Sequence, residues 1–214
     1  SNMVKIDAEL SAMEQNILKM GRKVLQMHEK IVDVLNQPDR EKELAIVQAD
    51  DIINHLEEEV NDMAVRSLAL LSPVASDLRK VVADIKIASE LERIGDYAKN
   101  IAIFLIKHDE IESSIRKYGM AMEQQFIEML QDTMKAYEER DIELAFEIPE
   151  RDKGIKDLYY KLKEKVTPKE DVDFMKNIFE ISAMVRNMER AGDHTKNICE
   201  HIIYMVKGQH YDFG

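Results

Sequence analysis

Apolar residues return along this chain at alternating intervals of four and three, the period of one helix face. In the first segment the stripe runs through Ile6, Leu10, Met13, Ile17, Met20, Val24, Met27, Ile31 and Val34. It predicts a helix of about 30 residues that ends at Asn36-Gln37-Pro38. A second stripe, Ile46, Ala49, Ile53, Leu56, Val60 and Met63, stops at Ser72-Pro73. A third, from about residue 76 to 107, carries Ile87, Leu91, Ile94, Ala98, Ile101 and Leu105.

The plan then repeats. A helix over about 111–138 carries Ile115, Tyr118, Met122, Phe126, Met129 and Thr133. A shorter one follows over about 142–166, with Pro149 and Gly154 disturbing its first turns. Thr167-Pro168 opens a last helix to about residue 207, carrying Met184, Met188, Ala191, Thr195, Ile198, Ile202 and Met205. Short loops make neighbouring helices antiparallel. The expectation is an all-α chain of six helices, in two tandem three-helix bundles related by internal duplication, residues 1–108 and 109–214. Heptad spacing alone also suits a coiled coil. Pro-marked loops and helices apolar on two sides favour the compact bundle, while the exposed stripes leave a homodimer open.

Composition agrees: Gly (7) and Pro (4) are too scarce for a fold of many turns, and Trp is absent. A net charge of −12 argues against nucleic acid as a partner, because phosphates would repel it, and suits a chain that binds cations. The 13 methionines fall mostly in the stripes and read as core rather than as copper or haem ligands. Cys199 has no cysteine to pair with, which fits a reducing compartment and a buried helix position. No apolar run reaches the ~18–20 residues of a membrane span. Ser1-Asn2-Met3 reads as an expression scar. A cytoplasmic location follows as an expectation.

One segment occurs twice. Residues 90–101 read ELERIGDYAKNI and residues 187–198 read NMERAGDHTKNI. Most of the matches are polar, which repeated packing alone does not require. Glu92, Asp96 and Asn100 follow one another along one side of the third helix, away from its apolar stripe. Glu189, Asp193 and Asn197 do the same on the last. Toward the N-termini these lines become Leu78, Val82, Ile85 and Ser89, and Met175, Phe179 and Ser182. Like charges four apart cost a helix about 0.2–0.5 kcal/mol unless something positive neutralises them. Arg93 and Arg190 point elsewhere.

A solvated acidic face would account for one copy; two copies in the same order favour a site. An E-x-x-x-D pair aims two oxygens at one point, and a neighbouring helix must complete the set. Asp50 and Asn54 on the second helix and Asp152 on the fifth are the candidates, because both stretches share a D-x-x-I-x-x-L frame. Lys156 stands where the first half has Asn54, and an ammonium is no metal ligand, so the second site is expected to be weaker or to recruit Asp157. Oxygen-only ligation suits Mg²⁺, Mn²⁺, Ca²⁺ or iron better than a Cys/His zinc site. Gly95 and Gly192 point to close helix approach as much as to room for a ligand. His194 is expected at the surface. The absence of E-x-x-H weighs against a ferritin-like di-iron enzyme.

Ser76-Asp77-Leu78-Arg79, residues 90–96, residues 189–194, Asn197-Ile198-Cys199-Glu200 and the ending Tyr204-Met205-Val206-Lys207-Gly208-Gln209 together resemble the PhoU family, over nearly the whole chain. The resemblance implies two similar three-helix bundles and a non-enzymatic cytosolic adaptor. Such an adaptor restrains the phosphate ABC transporter through its ATPase subunit. It also holds the sensor histidine kinase of the phosphate regulon in its repressing state, meeting the membrane only through these partners. It further implies metal ions, multinuclear iron or zinc with Mn or Mg as alternatives, at Glu92, Asp96, Glu189 and Asp193, with Asp50, Asn54 and Asp152 as helpers. Pro149 is a departure within the fifth helix. The rival readings are a metal-dependent hydrolase or oxidase, and a purely structural bundle with solvated acids. No Ser/His/Asp or Cys/His arrangement and no Gly-rich phosphate loop supports the former.

Overall fold

A computed structural model describes residues 2–108, 110–165 and 172–214. The first half is three long helices, α1 (Asn2–Asn36), α2 (Arg40–Leu70) and α3 (Ala75–Lys107). The second half begins with α4 (Ser113–Glu139), continues through short α5 (Ile142–Glu147), a 3-10 turn (Ile148–Arg151) and α6 (Asp152–Lys165), and ends with α7 (Val172–Lys207). Among the described residues there is no strand. The expected division at 108/109 falls in the link between α3 and α4; Asp109 lies outside the described residues, as do Val166 and the expected Thr167-Pro168 helix start.

The caps explain where several helices begin. The Asp39 carboxylate accepts the Lys42 amide at 3.1 Å, satisfying a donor that the first turn of α2 leaves unpaired. Asp141 does the same for Leu144 at 3.0 Å at the start of α5. Arg140, in the left-handed conformation at φ 54°, ends α4 and turns the chain sharply. The fifth predicted helix is present but in three pieces. Pro149 has no N–H to continue an α-helical ladder, so α5 stops and the 3-10 turn carries the chain into α6. Ile148 and Pro149 are buried at this break, which makes it a packed feature of the bundle.

Within each half the helices pack on one another, α1, α2 and α3 in the first, α4, α6 and α7 in the second. Between halves, α1 lies on α4 and α3 on α7, so the first and third helices of each half meet their counterparts, while α2 and α6 stay apart on the outside. The apolar stripes close into one continuous core across this junction. Ala49, Met63 and Tyr118 are only partly buried; the other stripe residues named above are buried. Thr133 and Thr195 sit in the stripes because each hydroxyl donates to the carbonyl four residues back, at 2.8 Å. Two buried polar groups also cross the junction. Lys80 of α3 donates to Asp84 at 2.9 Å and to the Tyr137 hydroxyl of α4 at 2.6 Å, and Tyr137 donates to Asp84 at 2.7 Å. His28 of α1 pairs with Glu123 of α4 at 2.7 Å and donates to the Ile94 carbonyl of α3 at 2.9 Å.

Candidate functional site

The duplicated acids line two grooves, one between α2 and α3 and one between α6 and α7. Upstream in the same lines, Leu78 is 41% and Phe179 84% exposed, while Val82 and Ile85 are half-buried. In the first groove Asp50 of α2 is only 1% exposed. Its Oδ1 is buried with no hydrogen bond, while Oδ2 receives Asn54 Nδ2 at 3.4 Å and has Lys99 Nζ at 3.6 Å. Gly95 faces it from α3, and a Cβ there would stand 3.6 Å from that unpaired oxygen. Glu92 and Asp96 follow on α3. Burial and the charges of Asp96, Glu57 and Asp50 push the Glu92 carboxyl up to about 7, against a small opposing effect of Arg93. Burial and Asp96 likewise raise Asp50, with Lys99 and Asn54 pulling the other way. Glu57, also raised by burial and by Asp96 despite Arg93, is the residue that the motif reading missed. It lies two turns beyond Asp50 on α2, and its signal was the Asp50-to-Glu57 spacing of seven.

The second groove has the same frame with a different occupant. Asp152 of α6 is 3% exposed, and its Oδ1 is again buried and unpaired. The side chain lies across Gly192 of α7, where any Cβ would collide with it. Lys156 reaches back over α7. Its ammonium donates to Asp193 at 2.8 Å, makes a still closer pair with Glu189, and stands 3.6 Å from Asp152. Lys196 adds contacts of 3.2 Å to Asp152 and 3.4 Å to Asp193. Burial opposes the charge on Lys156, but hydrogen bonds to Asp193 and Glu189 carry its pKa well above the lysine range. Burial would raise Asp193 too, and Lys156 and Lys196 lower it. Asp157 faces solvent.

Not every expected member joins. Asn100 is exposed, and Asn197 donates instead to Glu90 across the α3–α7 seam. Contrary to expectation, His194 belongs to that seam rather than to the surface. Its Nδ1 meets the Glu90 carboxylate and its Nε2 shares a 2.9 Å hydrogen bond with the Tyr97 hydroxyl. His194 and Tyr97 are counterpart positions of the two repeats, so the difference that made His194 look incidental is what joins them. Burial works against the Glu90 charge, but hydrogen bonds from His194 and His201 bring its carboxyl down to about 2.

Among the described residues no three His, Cys, Asp or Glu side chains converge tightly enough to hold one ion. The first groove nevertheless assembles hard oxygen donors that repel one another, and one of them is a buried oxygen without a partner. Carboxylate and amide oxygens are the donor type that a hard cation takes. The second groove already has a cation among its acids.

The PhoU domain matches this chain twice, over residues 17–105 and 120–202. A phosphate-specific transport system accessory protein PhoU homolog of Clostridium acetobutylicum is 28% identical over 216 residues, spanning 97% of both chains. Its counterpart in Pseudomonas aeruginosa is 34% identical over 209 residues, 95% of this chain and 86% of the relative. The crystal structure of the phosphate transport system regulatory protein PhoU from Streptococcus pneumoniae superposes with a TM-score of 0.85 at 28% identity, over 97% of this chain and 100% of that one. Two matches that together span most of the sequence, one per bundle and each containing one copy of the acidic segment, place this chain in the PhoU family.

Proposed function

We propose that this chain is a regulatory accessory protein of a phosphate transport system, acting by contact with other proteins rather than by catalysis. What supports the reading is the family match in both repeats, together with relatives named for that role over nearly their whole length. Its partners are the ATPase subunit of the phosphate ABC transporter and the sensor histidine kinase of the phosphate regulon. It works in the cytoplasm; no helix among the described residues is long and apolar enough to cross a membrane. Cations bind at the first groove, held by Asp50, Glu57, Glu92 and Asp96, with Asn54 as a neutral oxygen donor. Such an ion would supply positive charge where the carboxylates now repel each other, fixing α2 against α3 and so the face offered to partners. The single observation behind that step is the buried, unpaired Asp50 oxygen beside a Glu92 pushed up to about 7.

Deleting the chain from its own host tests the role. In phosphate-rich medium the deletion strain is expected to express its phosphate-starvation genes and to take up phosphate without restraint. A chromosomal Glu92→Ala/Asp96→Ala copy should reproduce part of that loss at normal protein levels. Unchanged transcription and uptake in the deletion strain would end the proposal.

A further inference from the structure

The two grooves share one frame, and two of the differences between them, at Asn54/Lys156 and Glu57/Tyr159, act in one direction. Asp50, Ile53 and Gly95 of the first correspond to Asp152, Ile155 and Gly192 of the second. Lys99 and Lys196 are also counterparts, and each reaches the buried aspartate of its own groove, at 3.6 and 3.2 Å. Lys156 replaces Asn54, and Tyr159 replaces Glu57. The second groove has therefore exchanged a neutral oxygen donor for an ammonium and lost a carboxylate. The ammonium is in place: it contacts Glu189, Asp193 and Asp152, the three acids that an ion there would need. A divalent cation could enter only by expelling a covalently tethered positive charge that already has those contacts.

We propose that Lys156 is a built-in substitute for metal, so that this chain takes a cation in the first groove only and its second repeat is permanently closed by its own side chain. The inference rests on the reading of the first groove as a cation site. Asymmetry follows from it. Cation supply can change the α2–α3 groove, while the α6–α7 groove keeps its charge balance whatever the metal concentration.

The test is a count of Mn²⁺ bound at saturation, by elemental analysis after rapid desalting. It compares the wild type with Lys156→Asn, which restores the residue of the first repeat, and with Lys156→Gln, which keeps the side-chain length should Asn disturb folding. Two further backgrounds locate the ions: Glu92→Gln/Asp96→Asn for the first groove and Asp152→Asn/Asp193→Asn for the second. Wild-type binding should disappear with the first pair of substitutions and be unmoved by the second. Replacing Lys156 should add at least one Mn²⁺ per chain, lost again with Asp152→Asn/Asp193→Asn. Wild-type binding that falls with the second pair would overturn the inference while leaving the first groove a metal site. So would Lys156 variants that bind no more than the wild type. A wild type without Mn²⁺ whose Lys156 variants gain it would remove the first-groove reading and uphold the role of Lys156. No Mn²⁺ in any form would remove both.

Discussion

Gly95 and Gly192 occupy the same place in the two repeats, yet adding a methyl group at each meets different surroundings. At Gly95 the nearest atoms would be at ordinary contact distance, Asp50 Oδ1 and Ile53 Cγ2 both at 3.6 Å. Gly95→Ala should therefore collect most of the ~1 kcal/mol that alanine gains over glycine inside a helix. At Gly192 the same Cβ collides with Asp152 and stands 3.2 Å from Ile155 Cδ1. Asp152 cannot swing away freely, because Lys156 and Lys196 hold its other oxygen. Gly192→Ala should cost about 1–2 kcal/mol, overpacking outweighing the propensity gain. Urea denaturation of both variants checks the pair, and equal shifts of the same sign would contradict it. This contrast was half legible in the sequence. The repeated glycine announced close approach, and the aspartates named as candidates from the neighbouring helices are what lies against it in both halves. What the pattern could not give was the reach of Lys156, since a long flexible side chain has many rotamers and only the fold says which acids surround it. Glu57 escaped for a related reason: its environment depends on the depth of the groove, whereas E-x-x-x-D depends only on helix period. The expected surface position of His194 failed because its counterpart, Tyr97, is not its equal but its hydrogen-bond partner.

At the level of helices, buried polar pairs fix which elements meet. His28 of α1 has both ring nitrogens engaged, Nδ1 by the Glu123 carboxylate of α4 and Nε2 by the Ile94 carbonyl of α3. A carbonyl accepts only, so Nε2 carries a proton, and protonation of Nδ1 as well lets the imidazolium donate to the Glu123 carboxylate. The Phe126 ring packs against His28 with centroids 4.5 Å apart. Burial alone would lower the His28 pKa, but the charge and hydrogen bond of Glu123 and the Ile94 carbonyl raise it above 6.5. A histidine raised on folding contributes all of its stabilisation below the unfolded value and loses it as pH climbs through the folded one. Stability is therefore expected to fall on the alkaline side of 6.5, in a window ending above the His28 folded pKa. Glu123→Gln should flatten that fall and cost about 3 kcal/mol at slightly acidic pH, where it breaks a buried pair. Thermal melts across the window, with the His28 ring followed by NMR, decide the matter. An identical pH slope in Glu123→Gln would mean that the pair is not the source. Helix existence was readable from the apolar stripes. These cross-links were not, because a lone histidine or glutamate carries no mark of the helix it will meet 95 residues away.

For the molecule as a whole, the duplicated sequence invites a picture of two independent domains, whereas the buried apolar residues run through both halves. Each half is a bundle of helices, and the faces of α1 and α3 turned away from their own bundle are covered by the other half: α1 by α4, α3 by α7. At that junction Gly21 of α1 lies so close to Met134 of α4 that a Cβ would have to displace the methionine. Gly119 of α4 is similarly closed by Leu35 and Met188. The buried apolar residues form a single cluster, and separating the halves would expose one wall of each. Neither repeat should then have stability of its own, and the chain should unfold in one cooperative step. Trp is absent, so one exposed position in each repeat can be given a private reporter, Leu44→Trp on α2 and Tyr160→Trp on α6. Both fluorescence transitions in urea should coincide with each other and with loss of helix by circular dichroism, at one midpoint and one slope. Separated midpoints would show that the repeats unfold as units and that the junction is an ordinary domain interface. The outcome bears directly on regulation. If the halves share one transition, a change in charge at the α2–α3 groove alters the stability of α6 and α7 as well, and a signal received by one repeat is expressed by both.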